Sequence, residues 1–187
     1  MRGEPSERAG AGPAVLERGY VQVYTGDGKG KTTAAVGLAV RAAGAGLRTF
    51  FAQFIKAERS GEIEVLERLG DRVICRRYGG GSWLRGKPGE EDVKRARAGL
   101  EEVRRAVSSG EYGLVVLDEA DMAVWFQLLA VDDLLALIDA KPERTELVFT
   151  GRRADPRLIA RADLVTEMRE VKHYYRQGVL ARRGIEN

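Results

Sequence analysis

A chain of 187 residues is long enough for one domain with its own core and short for two. Its 44% apolar content excludes disorder as the default, and no run approaches the roughly 20 uncharged apolar residues of a membrane span. The net charge is only +3, from 31 Lys and Arg against 28 Asp and Glu, and the basic residues are scattered, which argues against a dense nucleic-acid-binding stripe. Neither nucleic acid nor membrane is expected as a partner. The single cysteine, Cys75, excludes an internal disulfide and a cysteine-cluster metal site. The start of the chain lacks the apolar run of a signal peptide, so a cytoplasmic protein is expected.

Residues 1–18 are rich in Gly, Pro, Ala, Arg and Glu and show no periodicity. They read as a flexible N-terminal extension, followed by a single domain over 19–187. Tyr20 to Tyr24 predicts a strand. The glycine-rich turn Gly26-Asp27-Gly28-Lys29-Gly30 follows, then a helix from Lys31 to Ala43, stopped by Gly44 and Gly46. Arg48 to Ile55 predicts a second strand, and this strand–loop–helix–strand order favours a parallel pair with a right-handed crossover. Residues 61–69 read as helix and 72–75 as a short strand. Residues 78–89 form a glycine-rich loop carrying an exposed aromatic, Trp83. Val93, Ala96, Leu100, Val103 and Val107 then recur at helical spacing, with Glu90, Glu91 and Asp92 suited to the first turn.

Leu114 to Leu117 is a continuous apolar run, as in a parallel strand buried on both faces, and it ends in Asp118-Glu119. One helical stretch is expected to about residue 140, broken by Lys141-Pro142. Glu146 to Thr150 reads as a strand, 156–161 as a short helix and Leu164 to Met168 as a last strand. The alternation predicts a doubly wound α/β fold, with a mostly parallel sheet and helices on both faces.

Chemistry enters at residues 26–32. The usual phosphate loop is Gly, four residues, then Gly-Lys-Ser/Thr, between a strand and a helix. Gly30-Lys31-Thr32 supplies its second half; in its first half Thr25 holds the expected glycine position and Gly26 comes one residue late. Glycines let backbone N–H groups turn toward a phosphate, and the helix N-terminus adds a positive dipole. Lys31 can neutralise phosphate charge, and the Thr32 hydroxyl can ligate Mg²⁺. Asp118 and Glu119 end a buried strand at the sheet edge where ligands gather, so a carboxylate there should serve Mg²⁺. Glu119 is open to two roles, metal ligand or the group that orients an attacking water. The only histidine, His173, cannot build a multi-histidine metal site; it reads as a surface or packed residue, with a phosphate contact or acid–base role as the alternative. MgATP is the nucleotide these elements predict, in a P-loop NTPase-like (RecA-like) fold.

The segments Thr25 to Thr33, Arg41-Ala42, Gln53-Phe54-Ile55-Lys56, Val116-Leu117-Asp118-Glu119, Thr150-Gly151-Arg152, Val171-Lys172-His173 and Gly184-Ile185-Glu186 occur in that order. Together they closely resemble the ATP:cob(I)alamin (corrinoid) adenosyltransferases of cobalamin biosynthesis and salvage, from about Gly19 to Asn187. The late glycine belongs to that family's pattern. The resemblance implies transfer of the 5′-deoxyadenosyl group of ATP to the Co(I) of a reduced corrinoid, cobalamin or cobyrinic acid a,c-diamide, with release of triphosphate. It implies that Gly26, Asp27, Gly28, Lys29, Gly30, Lys31, Thr32 and Thr33 hold the phosphates, that Arg41 contacts the nucleoside side and Arg152 also binds the nucleotide, and that Thr32 and Glu119, with Asp118 nearby, hold Mg²⁺ (or Mn²⁺). Trp83 would sit against the corrinoid. Relatives often carry a phenylalanine two residues before that tryptophan; this chain has Gly81 there, and Tyr78 is the aromatic that could substitute. A homodimer and an electron-donating reductase, a flavoprotein or reduced flavin, are the implied partners. Without the resemblance, a P-loop MgATPase or small-molecule kinase is the alternative, and a nucleotide-gated nucleic-acid module is a third reading.

Overall fold

The computed structural model describes residues 15–55, 60–80 and 88–186. The expectations for Lys56, Gly81 and Trp83, and for residues 1–14 of the N-terminal extension, fall outside the described residues. Of the expected extension, residues 15–18 are described, and Leu16 packs against the core.

The strands are β1 (Val21–Thr25), β2 (Thr49–Gln53), β3 (Val73–Arg77), β4 (Leu114–Asp118), β5 (Glu146–Thr150) and β6 (Leu164–Glu167). The helices are α1 (Lys31–Gly44), α2 (Gly61–Glu67), α3 (Glu90–Ser109), α4 (Ala120–Trp125), α5 (Val131–Ala140) and α6 (Pro156–Arg161). All strand pairs are parallel, in one six-stranded sheet of order β3-β2-β4-β5-β1-β6.

β1 and β2 are therefore not neighbours, contrary to the crossover pair expected from their sequence order. β4 and β5 lie between them. Every residue of β4 is buried, as are four of the five in β5, and unbroken apolar strands belong where helices cover both faces. β1 alternates buried with half-buried residues and lies one strand from the edge; β6, at the edge, is exposed throughout.

Two cores sandwich the sheet. One joins α1 and α2 to Phe51, Leu114, Val116 and Val148. The other joins α3, α5 and Leu158 of α6 to Phe50, Phe54, Val115 and Phe149. α1 turns Ala35, Ala39 and Ala42 to the sheet, and these small side chains let the helix approach closely. α3 ends at Gly110, whose φ of 67° is the left-handed stop that glycine takes at least cost.

The helix expected from 120 to 140 is two helices. Residues 126–130 contain no glycine or proline, so nothing local announces the break. The turn is made instead by Gln127 at φ 60° and by burial of Leu128 and Leu129, and Asp133 accepts from the Ala130 N–H to start α5. Among the described residues, no helix is long and apolar enough to cross a membrane.

Cys75 lies in edge strand β3, half-buried, and burial pushes its thiol up to about 11. At pH 8 its thiolate fraction is then on the order of 0.001, against roughly 0.2 for an ordinary thiol. Iodoacetamide should alkylate the native protein at least ~100-fold more slowly than the urea-unfolded chain. Mass spectrometry of timed quenches checks this; equal rates would show that the strand does not protect the thiol.

Candidate active site

The phosphate loop leaves β1 at Thr25. Thr25 is buried and stays in register with Glu167 of β6; its carbonyl accepts from Met168 N at 2.8 Å and its Oγ1 from Ala154 N at 3.2 Å. The strand thus runs through the position where a glycine was expected. The turn begins one residue later, at Gly26, with φ 97°. Gly28 donates its N–H to Met168 O at 2.6 Å, and a Cβ there would lie 2.7 Å from that oxygen. A side chain at Gly28 would push the loop off the end of β6.

Lys31 opens α1 and is 8% exposed. Its Nζ arches back to donate to Gly26 O at 2.6 Å and Gly28 O at 2.7 Å. Burial, then the nearby Arg152 charge, lower its pKa, while Glu119, Asp27 and Asp118 act the other way.

Beneath the loop lies Asp118, fully buried. Its Oδ1 accepts from Thr32 Oγ1 at 2.9 Å and Thr150 Oγ1 at 2.7 Å, and its Oδ2 from Gln53 Nε2 at 2.9 Å. Thr150 Oγ1 in turn accepts from the Glu119 N–H at 3.0 Å. One carboxylate thus joins α1 to the ends of β2, β4 and β5. Gln53 and Thr150 had no assigned role in the sequence reading. Their signal was a polar residue ending an apolar strand, as in Phe50-Phe51-Ala52-Gln53 and Val148-Phe149-Thr150.

Glu119 takes φ 60° at the start of α4. Asp121, two residues further on, is 2% exposed, and neither carboxylate oxygen meets a protein donor among the described residues. Burial first, and Glu119 second, push its carboxyl up to about 7.

Over this network opens a cleft of about 580 Å³. The loop from Asp27 to Thr33 lines it, Val36, Val40, Val65 and Leu66 give it an apolar wall from α1 and α2, and Glu119 and Arg152 line it as well. His173, for which a phosphate contact was the alternative expectation, and Gly184–Glu186, which had no assigned role, contribute a further wall. His173 Nδ1 accepts from the Tyr175 N–H at 3.0 Å, which fixes its ring.

Most of the expected site residues therefore converge. Asp27, Gly28, Lys29, Gly30, Lys31, Thr32, Thr33, Glu119 and Arg152 line one cleft, with Gly26 and Asp118 supporting it from below. Arg41 does not line it. It is exposed in the last turn of α1, about 15 Å along the helix from Lys31. Tyr78 does not fill in for the missing aromatic. Its ring packs on Phe54 with centroids 5.3 Å apart, presses on Gly99, and its hydroxyl donates to Glu102 at 2.8 Å, so it belongs to the core.

A family model described as ATP:corrinoid adenosyltransferase BtuR/CobO/CobP matches residues 17–187. The chain belongs to this adenosyltransferase family. It is a transferase by that membership, and the matched span takes in both walls of the cleft. The corrinoid adenosyltransferase of Pseudomonas aeruginosa is 37% identical over 171 residues, covering 91% of this chain and 84% of that one. Those of a Sinorhizobium species and of Escherichia coli K12 are 36% and 34% identical, each covering 91% of this chain and 81% and 86% of their own lengths.

Removing the central carboxylate should loosen this adenosyltransferase as a whole. Asp118→Ala strands three buried or half-buried donors at once and is expected to cost about 3 kcal/mol. Urea unfolding measures it; a loss under about 0.5 kcal/mol would mean the network does not hold the sheet edge together.

Proposed function

We propose that the cleft transfers the 5′-deoxyadenosyl group of ATP to the Co(I) centre of a reduced corrinoid, cobalamin or cobyrinic acid a,c-diamide. The observation that carries this reading is the family match, which runs the length of the cleft from the phosphate loop to the C-terminal wall. The reduced cobalt of the substrate donates an electron pair to C5′. The C5′–O bond breaks, and inorganic triphosphate leaves with the bonding pair.

The protein's part is to hold the leaving charge and to align the reacting atoms. Lys31 sits at the N-terminus of a 14-residue helix, where backbone N–H groups and the helix dipole favour anions. Its present acceptors are the neutral carbonyls of Gly26 and Gly28. Exchanging them for phosphate oxygens gives shorter, stronger charge-assisted bonds. Val36, Val40 and Val65 offer an apolar surface beside the loop for the less polar reacting partner.

The oxygen donors fit a hard divalent cation. Mg²⁺ keeps several waters and takes one or two protein oxygens plus substrate phosphates, and Thr32 and Glu119 at the cleft supply such a pair. Asp118 has both oxygens engaged by Thr32, Thr150 and Gln53, so it would serve Mg²⁺ (or Mn²⁺) through Thr32. Bound there, the ion would neutralise triphosphate charge. Trp83 is proposed to lie against the corrinoid. The Co(I) state needs an electron from outside the chain, from a flavoprotein reductase or reduced flavin. A homodimer is the proposed assembly; Leu164 and Val165 on the exposed outer strand β6 are 44% and 41% exposed.

An anaerobic assay with MgATP and chemically reduced cobalamin tests the reading. Adenosylcobalamin and triphosphate should appear in equal amounts; ADP and phosphate formed regardless of corrinoid would make the protein an ATPase or kinase instead.

Lys31→Ala should lower kcat/KM at least ~100-fold while circular dichroism stays native. Near-normal turnover in that variant would end the phosphate-loop assignment.

A further inference from the structure

Lys29 stands at the tip of the phosphate loop, yet its charge is engaged elsewhere. Its Nζ donates to Ile185 O at 2.9 Å and pairs with Glu186 Oε1 at 3.0 Å, with the Tyr174 hydroxyl 3.5 Å away. Glu186 is the hub of this contact. Its Oε2 accepts from the Arg182 N–H at 2.7 Å, the Arg182 guanidinium reaches Oε1 at 3.2 Å, and the Tyr174 hydroxyl donates to Oε1. The Arg182 guanidinium also lies 4.9 Å from the centre of the Tyr174 ring. Arg182 first, then Tyr174, hold the Glu186 carboxyl well below the usual carboxylate range, and Glu186 raises Lys29.

We propose that Lys29 and Glu186 form a latch that fixes the C-terminal segment across the phosphate loop, and that Lys29 serves nucleotide binding through this latch and not as a direct ligand of the triphosphate. The inference rests on the reading that the cleft takes MgATP. Three observations carry it. The segment that the latch holds, Gly184 to Glu186, is itself a wall of the cleft. Glu186 meets donors from Arg182 and Tyr174 besides Lys29, so the segment arrives folded at the loop and gains a defined seat there. The same loop is already pinned from that side by Gly28 N–H to Met168 O, so its tip and its middle are both set by the chain that follows β6. Lys29 is then a positioning residue, and Lys31 is the loop's own cation left to meet phosphate.

The two readings of Lys29 predict different couplings. A latch is shared, so breaking either end releases the same wall; an independent phosphate ligand adds its loss to that of Glu186. Titration calorimetry with MgATP should be run on the wild type, Lys29→Met, Glu186→Gln and the double variant, with thermal unfolding confirming that each is folded. Each single change is expected to weaken binding about tenfold, and the double no further than the worse single. KM for ATP should rise in step while kcat holds within about twofold, which a merely structural lesion would not do. Lys29→Arg keeps a cation within reach of Glu186 and should bind within about twofold of wild type, so it carries the test if Lys29→Met does not fold. A double variant about 100-fold weakened, or tighter binding by Glu186→Gln, overturns the latch. Failure of the wild type to bind MgATP removes the site reading itself, and the latch with it.

Discussion

The buried carboxylate of Asp118 is the constraint on which the rest of this site depends. A charge removed from water is costly unless hydrogen bonds replace its hydration. Among the described residues no cation within hydrogen-bonding distance does so. Three neutral donors do, from Thr32, Thr150 and Gln53. Each comes from a different element, so the demand of one charge sets the mutual positions of α1, β5 and β2 at the end of β4. The first of these donors is the residue after Lys31. The phosphate loop is therefore aligned with the sheet edge by the same interaction that makes the edge tolerable.

A second constraint acts from the far side of the loop. β1 pairs with β6 through Thr25 and Glu167, and the chain after β6 stays against the loop. Gly26 and Gly28 are needed there for room as much as for conformation, since a Cβ on either would meet Met168 backbone within about 2.7 Å. This accounts for the late first glycine. Thr25 is still strand, so a turn at that position would cost β1 its last rung with β6.

Much of this was legible beforehand because it is local. The glycine turn before Lys31-Thr32, the apolar run into Asp118, and the helical spacing of α3 are each written in a few neighbouring residues. Strand order was not, because parallel neighbours are chosen by burial on both faces of the whole sheet: β5 takes the inner place beside β1, and β4 lies between β5 and β2. The break between α4 and α5 was hidden for a similar reason: Leu128 and Leu129 make the turn by burying themselves, with no glycine or proline to announce it. Arg41 is a case that the loop motif alone could not place. Expected on the nucleoside side, it stands about 15 Å along α1 from Lys31, next to Val40 of the apolar wall. The wall from His173 to Glu186 carries no apolar periodicity at all; its order comes from polar bonds within the segment, such as those of Arg182 and Tyr174 to Glu186, and from Lys29 far away in sequence, which no spacing rule detects.

These two constraints also limit how the loop can meet a triphosphate. The Gly28 N–H is committed to Met168 O, and the Lys29 ammonium to Ile185 O and Glu186. What is left for phosphate is concentrated at one end: the first amides of α1 and the Lys31 ammonium, which rests on neutral carbonyls it can exchange, while the Thr32 hydroxyl gives its hydrogen to Asp118 and keeps its oxygen for a cation. A phosphoryl transferase must surround the transferring γ-phosphoryl group on several sides, because its charge is spread over three equatorial oxygens. An adenosyl transfer needs less enclosure and more anchorage. In the proposed reaction the triphosphate would leave intact, and its charge would have to be held in one place while C5′ is exposed to a bulky nucleophile. A loop whose middle and tip are pinned outward, with its cationic end at a helix N-terminus, suits the second task better than the first.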